Sequence, residues 1–198
     1  MKEMTLQEIQ KLLGYEVKIV ANKPQRQLSE VPVGETFKIG DMEFIVLEHC
    51  PDSRQTKVLL KDFWKKSQFD PKTNNYVNSK IRYELNNEFY RSLPLSANDI
   101  VRHHVDLTSD DGRDDYGGVC DFVSLLTCDM YRKYVRILDK YRLGGWWWLA
   151  TPYSTKENGY EYAVRFVDDG GALRRVRCGG DCIGVRPFCI FNSSIFVS

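Results

Sequence analysis

Apolar residues follow a helical period at the start of the chain and an alternating one soon afterwards, and that change organises the reading. Leu6, Ile9, Leu12 and Leu13 repeat every three to four positions. They follow Thr5-Leu6-Gln7-Glu8, which has the Ser/Thr-x-x-Glu form of a capping box, and precede Gly14, a suitable C-terminal cap. This predicts a short amphipathic helix. Residues 21–30, with Pro24 among Lys, Gln and Arg, read as a linker. Residues 1–30 are therefore expected to be a helix and linker, and 31–198 the main domain.

Beyond Val31 the pattern predicts strands. Glu35 to Ile39 and Met42 to Glu48 flank a Gly40-Asp41 turn, and Thr56 to Leu60 supplies the next pairing partner. Asn78 to Tyr90 is expected to be helical, since Ile81, Leu85 and Phe89 recur every four residues. Thr108 to Asp121 reads as a polar loop with five Asp. A short strand from Phe122 to Leu126 then leads to a helix capped by Thr127 and running through Tyr131 and Tyr134. In the last third, Trp146 to Ala150, Tyr162 to Val167, Ala172 to Cys178 and one buried strand from Ile183 to Phe191 are expected, with a hairpin loop at Asp168-Asp169-Gly170-Gly171. Helices between two strand-rich ends predict an α+β fold rather than alternating βαβ units.

Composition narrows the function classes. Among 198 residues, 28 basic and 27 acidic side chains leave a formal charge of +1, so bulk charge does not drive the chain onto nucleic acid or an anionic membrane. No apolar run approaches the ~20 residues that cross a bilayer, and no secretory signal is visible at Met1-Lys2-Glu3-Met4. A cytoplasmic protein with its six cysteines reduced is expected. Cys189, inside an apolar run, reads as a packing residue.

Candidate chemistry is concentrated in a few places. Arg165, Arg174, Arg175, Arg177 and Arg186 fall within Tyr162 to Pro187. Arg175 and Arg177 share a strand face, so two guanidinium forks could meet carboxylates or phosphates, with Tyr160, Tyr162 and Phe166 adding stacking. The alternative is that these arginines pair with local aspartates. Trp64, beside Lys65-Lys66, and Trp146 are further candidates for partner contact, whereas core packing is expected for Trp147. Asp110, Asp111, Asp114 and Asp115 could supply oxygen ligands to calcium, but their spacing is not that of an EF-hand, and a solvated loop is the expectation. Cys178 and Cys182 are close enough in sequence to share a metal ion or a disulfide. No nucleophile elbow, phosphate loop or Ser-His-Asp arrangement occurs. A non-catalytic protein without cofactor or metal is expected.

Three blocks carry a resemblance: Gly34-Glu35-Thr36-Phe37 leading into Phe44-Ile45-Val46-Leu47; Ile81-Arg82-Tyr83-Glu84-Leu85-Asn86 with Phe89-Tyr90; and Trp147-Trp148-Leu149-Ala150-Thr151-Pro152 with Gly184-Val185-Arg186-Pro187. Across about residues 31–191 the chain resembles the domain family of gut Firmicutes and their phages whose signature is Trp-Trp-Leu-Arg-Ser-Pro with a terminal Gly-Val-Arg-Pro. Ala150 and Thr151 depart from the Arg and Ser of that signature, so no role of that Arg carries over. The resemblance implies a C-type-lectin-like fold, related to formylglycine-generating enzymes and to phage variable receptor-binding proteins. It also implies that Arg186 is structural and that binding falls to loops 105–121 and 153–161 and the hairpin 168–182. The function this implies is a phage- or prophage-encoded recognition module. It would bind and inhibit a protein or protein–nucleic acid complex of the host, such as a CRISPR nuclease, and could pair with a second copy through the N-terminal helix. A phage receptor-binding protein is the alternative, and a copper oxidase using Cys178 and Cys182 the second.

Overall fold

A computed structural model describes residues 5–14, 25–180 and 183–198. The expected linker positions 21–24, and Cys182, lie outside the described residues. The first helix, Leu6–Leu13, starts as its sequence dictates: Thr5 Oγ1 accepts the Glu8 N–H at 3.3 Å, while Glu8 accepts the Thr5 N–H at 2.7 Å. Gly14 ends it in the left-handed region at φ 74°, which a side chain would oppose.

Among the described residues fourteen strands follow: β1 Arg26–Gln27, β2 Thr36–Ile39, β3 Met42–Cys50, β4 Gln55–Leu60, β5 Lys65–Ser67, β6 His103–Asp106 and β7 Gly118–Asp121; then β8 Val123–Ser124, β9 Trp147–Pro152, β10 Ala163–Val167, β11 Leu173–Arg177, β12 Ile183–Val185, β13 Phe188–Asn192 and β14 Phe196–Val197. One five-stranded sheet has the order β2-β3-β4-β13-β8, and a second has β11-β10-β9-β12-β5. Pairing is antiparallel except between β12 and β9. With the helix Cys128–Leu138 and a continuous helix over 80–92, this is an α+β fold with two main helices.

Each helix covers a different core. Ile81, Leu85 and Phe89 are fully buried among Phe69, Tyr76 and Trp148. Tyr131, Tyr134 and Leu138 pack with Trp147, Leu149 and Val167 of the second sheet and with Leu47 and Phe188 of the first. The second sheet therefore has apolar groups on both faces. That is why Trp147 and Trp148, which alternate, are both buried: Trp147 meets Tyr131 edge-on at 5.6 Å, and Trp148 meets Phe69 at 5.7 Å. The strand begins at Trp147 rather than at Trp146, which stays exposed.

Three further expectations are corrected. The linker does not extend to Glu30: Arg26–Gln27 pair with Phe196–Val197, and Leu28 is buried, so these residues belong to the body. The polar loop 108–121 is shorter, because Gly118–Asp121 pairs with His103–Asp106 despite lacking an apolar alternation. The stretch 183–191 is two strands in different sheets. Pro187 has no N–H to give to a ladder, and the break between the two strands falls at Arg186-Pro187. At this crossing the Arg186 guanidinium is buried, donating to Leu60 O at 3.1 Å and Lys61 O at 2.8 Å, 5.0 Å above the Trp147 ring. Burial pushes its pKa down to about 10. Among the described residues, no helix is long and apolar enough to cross a membrane.

Candidate functional site

The β10–β11 hairpin is closed by one aspartate. Asp168 N–H donates to Ala172 O at 2.9 Å, and Asp168 Oδ1 accepts the Ala172 N–H at 2.8 Å. Gly171, at φ 85°, supplies the left-handed residue that the turn requires. The register sets Arg165 opposite Arg175 and Ala163 opposite Arg177. Strand alternation then puts Arg165, Arg175 and Arg177 on one face and Arg174 on the other.

Two guanidinium groups opposite each other repel unless something intervenes. Here it is Tyr153: its ring centroid lies 4.8 Å from Arg165 Cζ and 4.1 Å from Arg175 Cζ. Arg177 lies 5.3 Å from the Tyr162 ring. Tyr160 joins the two halves, 5.5 Å from Tyr153 and 6.0 Å from Tyr162. The result is a continuous arginine–tyrosine surface at the end of the second sheet.

The arginines differ in their partners. Arg165 is largely enclosed and ion-paired with Asp110, whose other oxygen takes Arg132 Nη2 at 2.9 Å. Arg174 pairs with Asp168 at 3.1 Å. Local pairing thus accounts for these two. Arg175 and Arg177 are exposed, and among the described residues neither forms an ion pair with a carboxylate. The hairpin therefore holds two charged forks braced by aromatic rings and, among the described residues, without a carboxylate partner.

The remaining candidates do not all converge there. Trp146 lies 4.8 Å from Phe166, on the face opposite Arg175. Trp64 is half-buried, edge-on to Phe89 at 5.4 Å with Lys65 Nζ 4.2 Å above its ring, and it adjoins β5 at the far edge of the sheet. It is apart from the arginines. Tyr153 is the residue that sequence reasoning missed. Its signal is parity: on β9 and its extension it shares a side with Trp147, Leu149 and Thr151.

The acidic loop is not arranged around a cation. Asp110 is held by two arginines, Asp111 accepts from Ser109 Oγ at 2.5 Å and Asn158 Nδ2 at 3.3 Å, and Asp114 is exposed. The Ser109 hydrogen bond holds the Asp111 carboxyl below its usual range. Among the described residues, no group of three or more His, Cys, Asp or Glu is placed to hold a metal ion. Cys178 is buried, and burial pushes its thiol up, opposite to the shift that makes a cysteine reactive. His49 is absorbed by the scaffold. Its Nε2–H donates to Val31 O at 2.8 Å, because a carbonyl can only accept, and Nδ1 shares a hydrogen bond with Thr56 Oγ1 at 2.9 Å. No protein-family model matches the chain, and no curated protein or solved structure matches it either.

Proposed function

We propose that the chain is a non-catalytic recognition module that binds a protein partner through the arginine–tyrosine surface of β10, β11 and Tyr153, Tyr160 and Tyr162. The observation that carries this reading is the state of Arg175 and Arg177: exposed, braced on tyrosine rings and free of ion pairs among the described residues. Ring contacts hold a guanidinium in place before binding, which reduces the side-chain entropy lost when a carboxylate docks. Arginine and tyrosine are also the side chains that dominate protein interfaces. We take the fold as C-type-lectin-like in the same proposal. The pairing of β1 with β14 joins the two ends of the body, as such a core requires, and supports that reading. The sequence resemblance makes a host defence protein the first partner to assay.

The test is affinity capture from the bacterial host with two baits, wild type and the double variant R175E/R177E, both checked for folding by circular dichroism. A stoichiometric protein held by wild type and lost from the variant supports the proposal; a loss of about 30-fold or more per arginine is expected if each is an interface anchor. The same partner retained by both baits would remove this surface from the interface.

A further inference from the structure

The free edges of the two sheets are not treated alike. The outer side of β2 is closed by the chain end, with Lys38 N–H donating to Ser198 O at 2.7 Å and Ser198 N–H to Lys38 O at 3.3 Å. On β8, the Asn86 side chain accepts the Val123 N–H at 3.2 Å and donates to Val123 O at 2.9 Å. β5 is three residues long, and its Ser67 carbonyl is occupied by Trp148 Nε1–H at 2.9 Å. The remaining edge, β11, is five residues long and, among the described residues, pairs only with β10.

Its hydrogen-bond parity follows from the ends of the hairpin. Cys178 N–H donates to Tyr162 O at 2.8 Å, and Ala172 O accepts from Asp168 N–H at 2.9 Å, so the even-numbered residues bond inward. Leu173, Arg175 and Arg177 therefore aim their backbone groups out of the sheet. Arg177 O takes the Gly180 N–H at 3.0 Å. What is left is the N–H and C=O of Leu173 and Arg175 and the N–H of Arg177, and among the described residues no strand pairs with that side.

We infer that β11 receives an extended, acidic segment of the protein partner as a sixth strand of the sheet, an inference that rests on the recognition surface proposed above. Main-chain bonds to Leu173, Arg175 and Arg177 hold the segment, and side chains set its specificity. On the face shared by Arg175 and Arg177, alternate positions of the incoming strand meet two unpaired guanidinium groups and are acidic. On the other face they meet the half-buried Val176, beside Arg174 that Asp168 already pairs, and are apolar. A second copy of β11 does not fit this edge, because it would set arginine against arginine, the arrangement by which charged edges avoid self-pairing.

The probe is a fluorescein-labelled peptide of alternating glutamate and valine, titrated into the whole protein, together with versions N-methylated at every glutamate or at every valine. Strand addition requires parity: one methylated version loses about tenfold or more in affinity and the other does not. Loss at glutamate marks an antiparallel strand and loss at valine a parallel one. In saturating peptide, the amide protons of Leu173, Arg175 and Arg177 should become slow to exchange. No binding, equal effects of both methylation patterns, or unchanged exchange at these amides overturns the inference. The two proposals fail separately. If R175E/R177E loses the protein partner while the peptide shows no parity, the arginine surface stands and strand addition falls. If the variant binds the unmethylated peptide as well as wild type does, with parity intact, the edge stands and the arginine–tyrosine reading falls.

Discussion

Removing Arg82 tests the electrostatic joint between the 80–92 helix and the β6–β7 hairpin. Asp121 ends β7 with 4 % of its surface exposed, and it receives Arg82 Nε–H and Nη2–H, both at 2.8 Å. The third arm of Arg82, Nη1–H, donates to Val77 O at 2.7 Å. Arg82→Ala strands a buried carboxylate, a defect that costs about 3–5 kcal/mol. The Arg82 side chain is 28 % exposed, so water enters the space it leaves and the low end, about 3 kcal/mol, is expected. For a chain of this length that lowers Tm by about 6–12 °C. The double variant R82M/D121L removes both charges and should lie within about 1–2 kcal/mol of wild type, with the unpaired Val77 carbonyl as the residual cost. Urea unfolding of wild type, Arg82→Met, Asp121→Leu and the double variant gives the coupling energy. Additive single effects, or an Arg82→Ala cost below about 1 kcal/mol, would refute the account.

Glu48 should make stability depend on pH. Burial raises its carboxyl, but hydrogen bonds from Lys133, Tyr134 and Lys57 outweigh this and hold it at about 2, against 4.5 normally. The stability it contributes is present above about pH 4.5 and is lost as pH falls toward 2, so Glu48→Gln should cost about 1–2 kcal/mol at pH 7 after solvent screening and close to nothing at pH 2. Equal costs in urea at both pH values would contradict this. A Cβ on Gly184 would lie 2.5–2.7 Å from three Phe63 ring atoms, so Gly184→Ala should destabilise by about 1–3 kcal/mol, with much of the loss recovered in G184A/F63A. In native alkylation followed by peptide mass mapping, exposed Cys120 should react first. Buried Cys178, Cys189 and Cys128, the last pushed up to about 11 by burial, should wait for unfolding. Labelling of Cys178 at the rate of Cys120 would reopen a redox role for that thiol.

Periodicity exposed the elements that are amphipathic on one face. Ile81, Leu85 and Phe89 identified a helix, and Thr5 and Thr127 identified two N-caps, because those signals are local. It failed where tertiary contacts set the outcome. The stretch 183–191 is apolar apart from Arg186, and the break at Arg186-Pro187, with the arginine buried on the carbonyls of Leu60 and Lys61, separates it into strands of two sheets. The β6–β7 pairing is likewise hidden in a polar sequence. At the candidate site, alternation placed Arg175 and Arg177 on one face. It could not say which arginines were already paired, because Asp110 lies 55 residues before Arg165. Parity gave Tyr153, just beyond β9, a side of the sheet but not the arginines it meets there, for the same reason.

That pairing pattern gives the net charge a local meaning. The chain is almost neutral, yet its carboxylates are spent unevenly: Glu48 on Lys57 and Lys133, Glu84 on Lys65 and Lys80, Asp110 on Arg132 and Arg165, Asp168 on Arg174. Among the described residues, Arg175 and Arg177 are left with ring contacts and no ion pair. At physiological salt the Debye length is about 8 Å, so a segment approaching β11 responds to these two charges and not to the distant balance. Association with the captured partner should therefore slow as salt rises from about 0.05 to 0.5 M, because steering acts on the approach. Dissociation, governed by main-chain bonds and tyrosine packing, should change much less. Surface plasmon resonance over that range separates the two rates. An association rate indifferent to salt, or one that R175E/R177E leaves unchanged, would mean that the unpaired arginines do not guide the partner, whatever else holds it there.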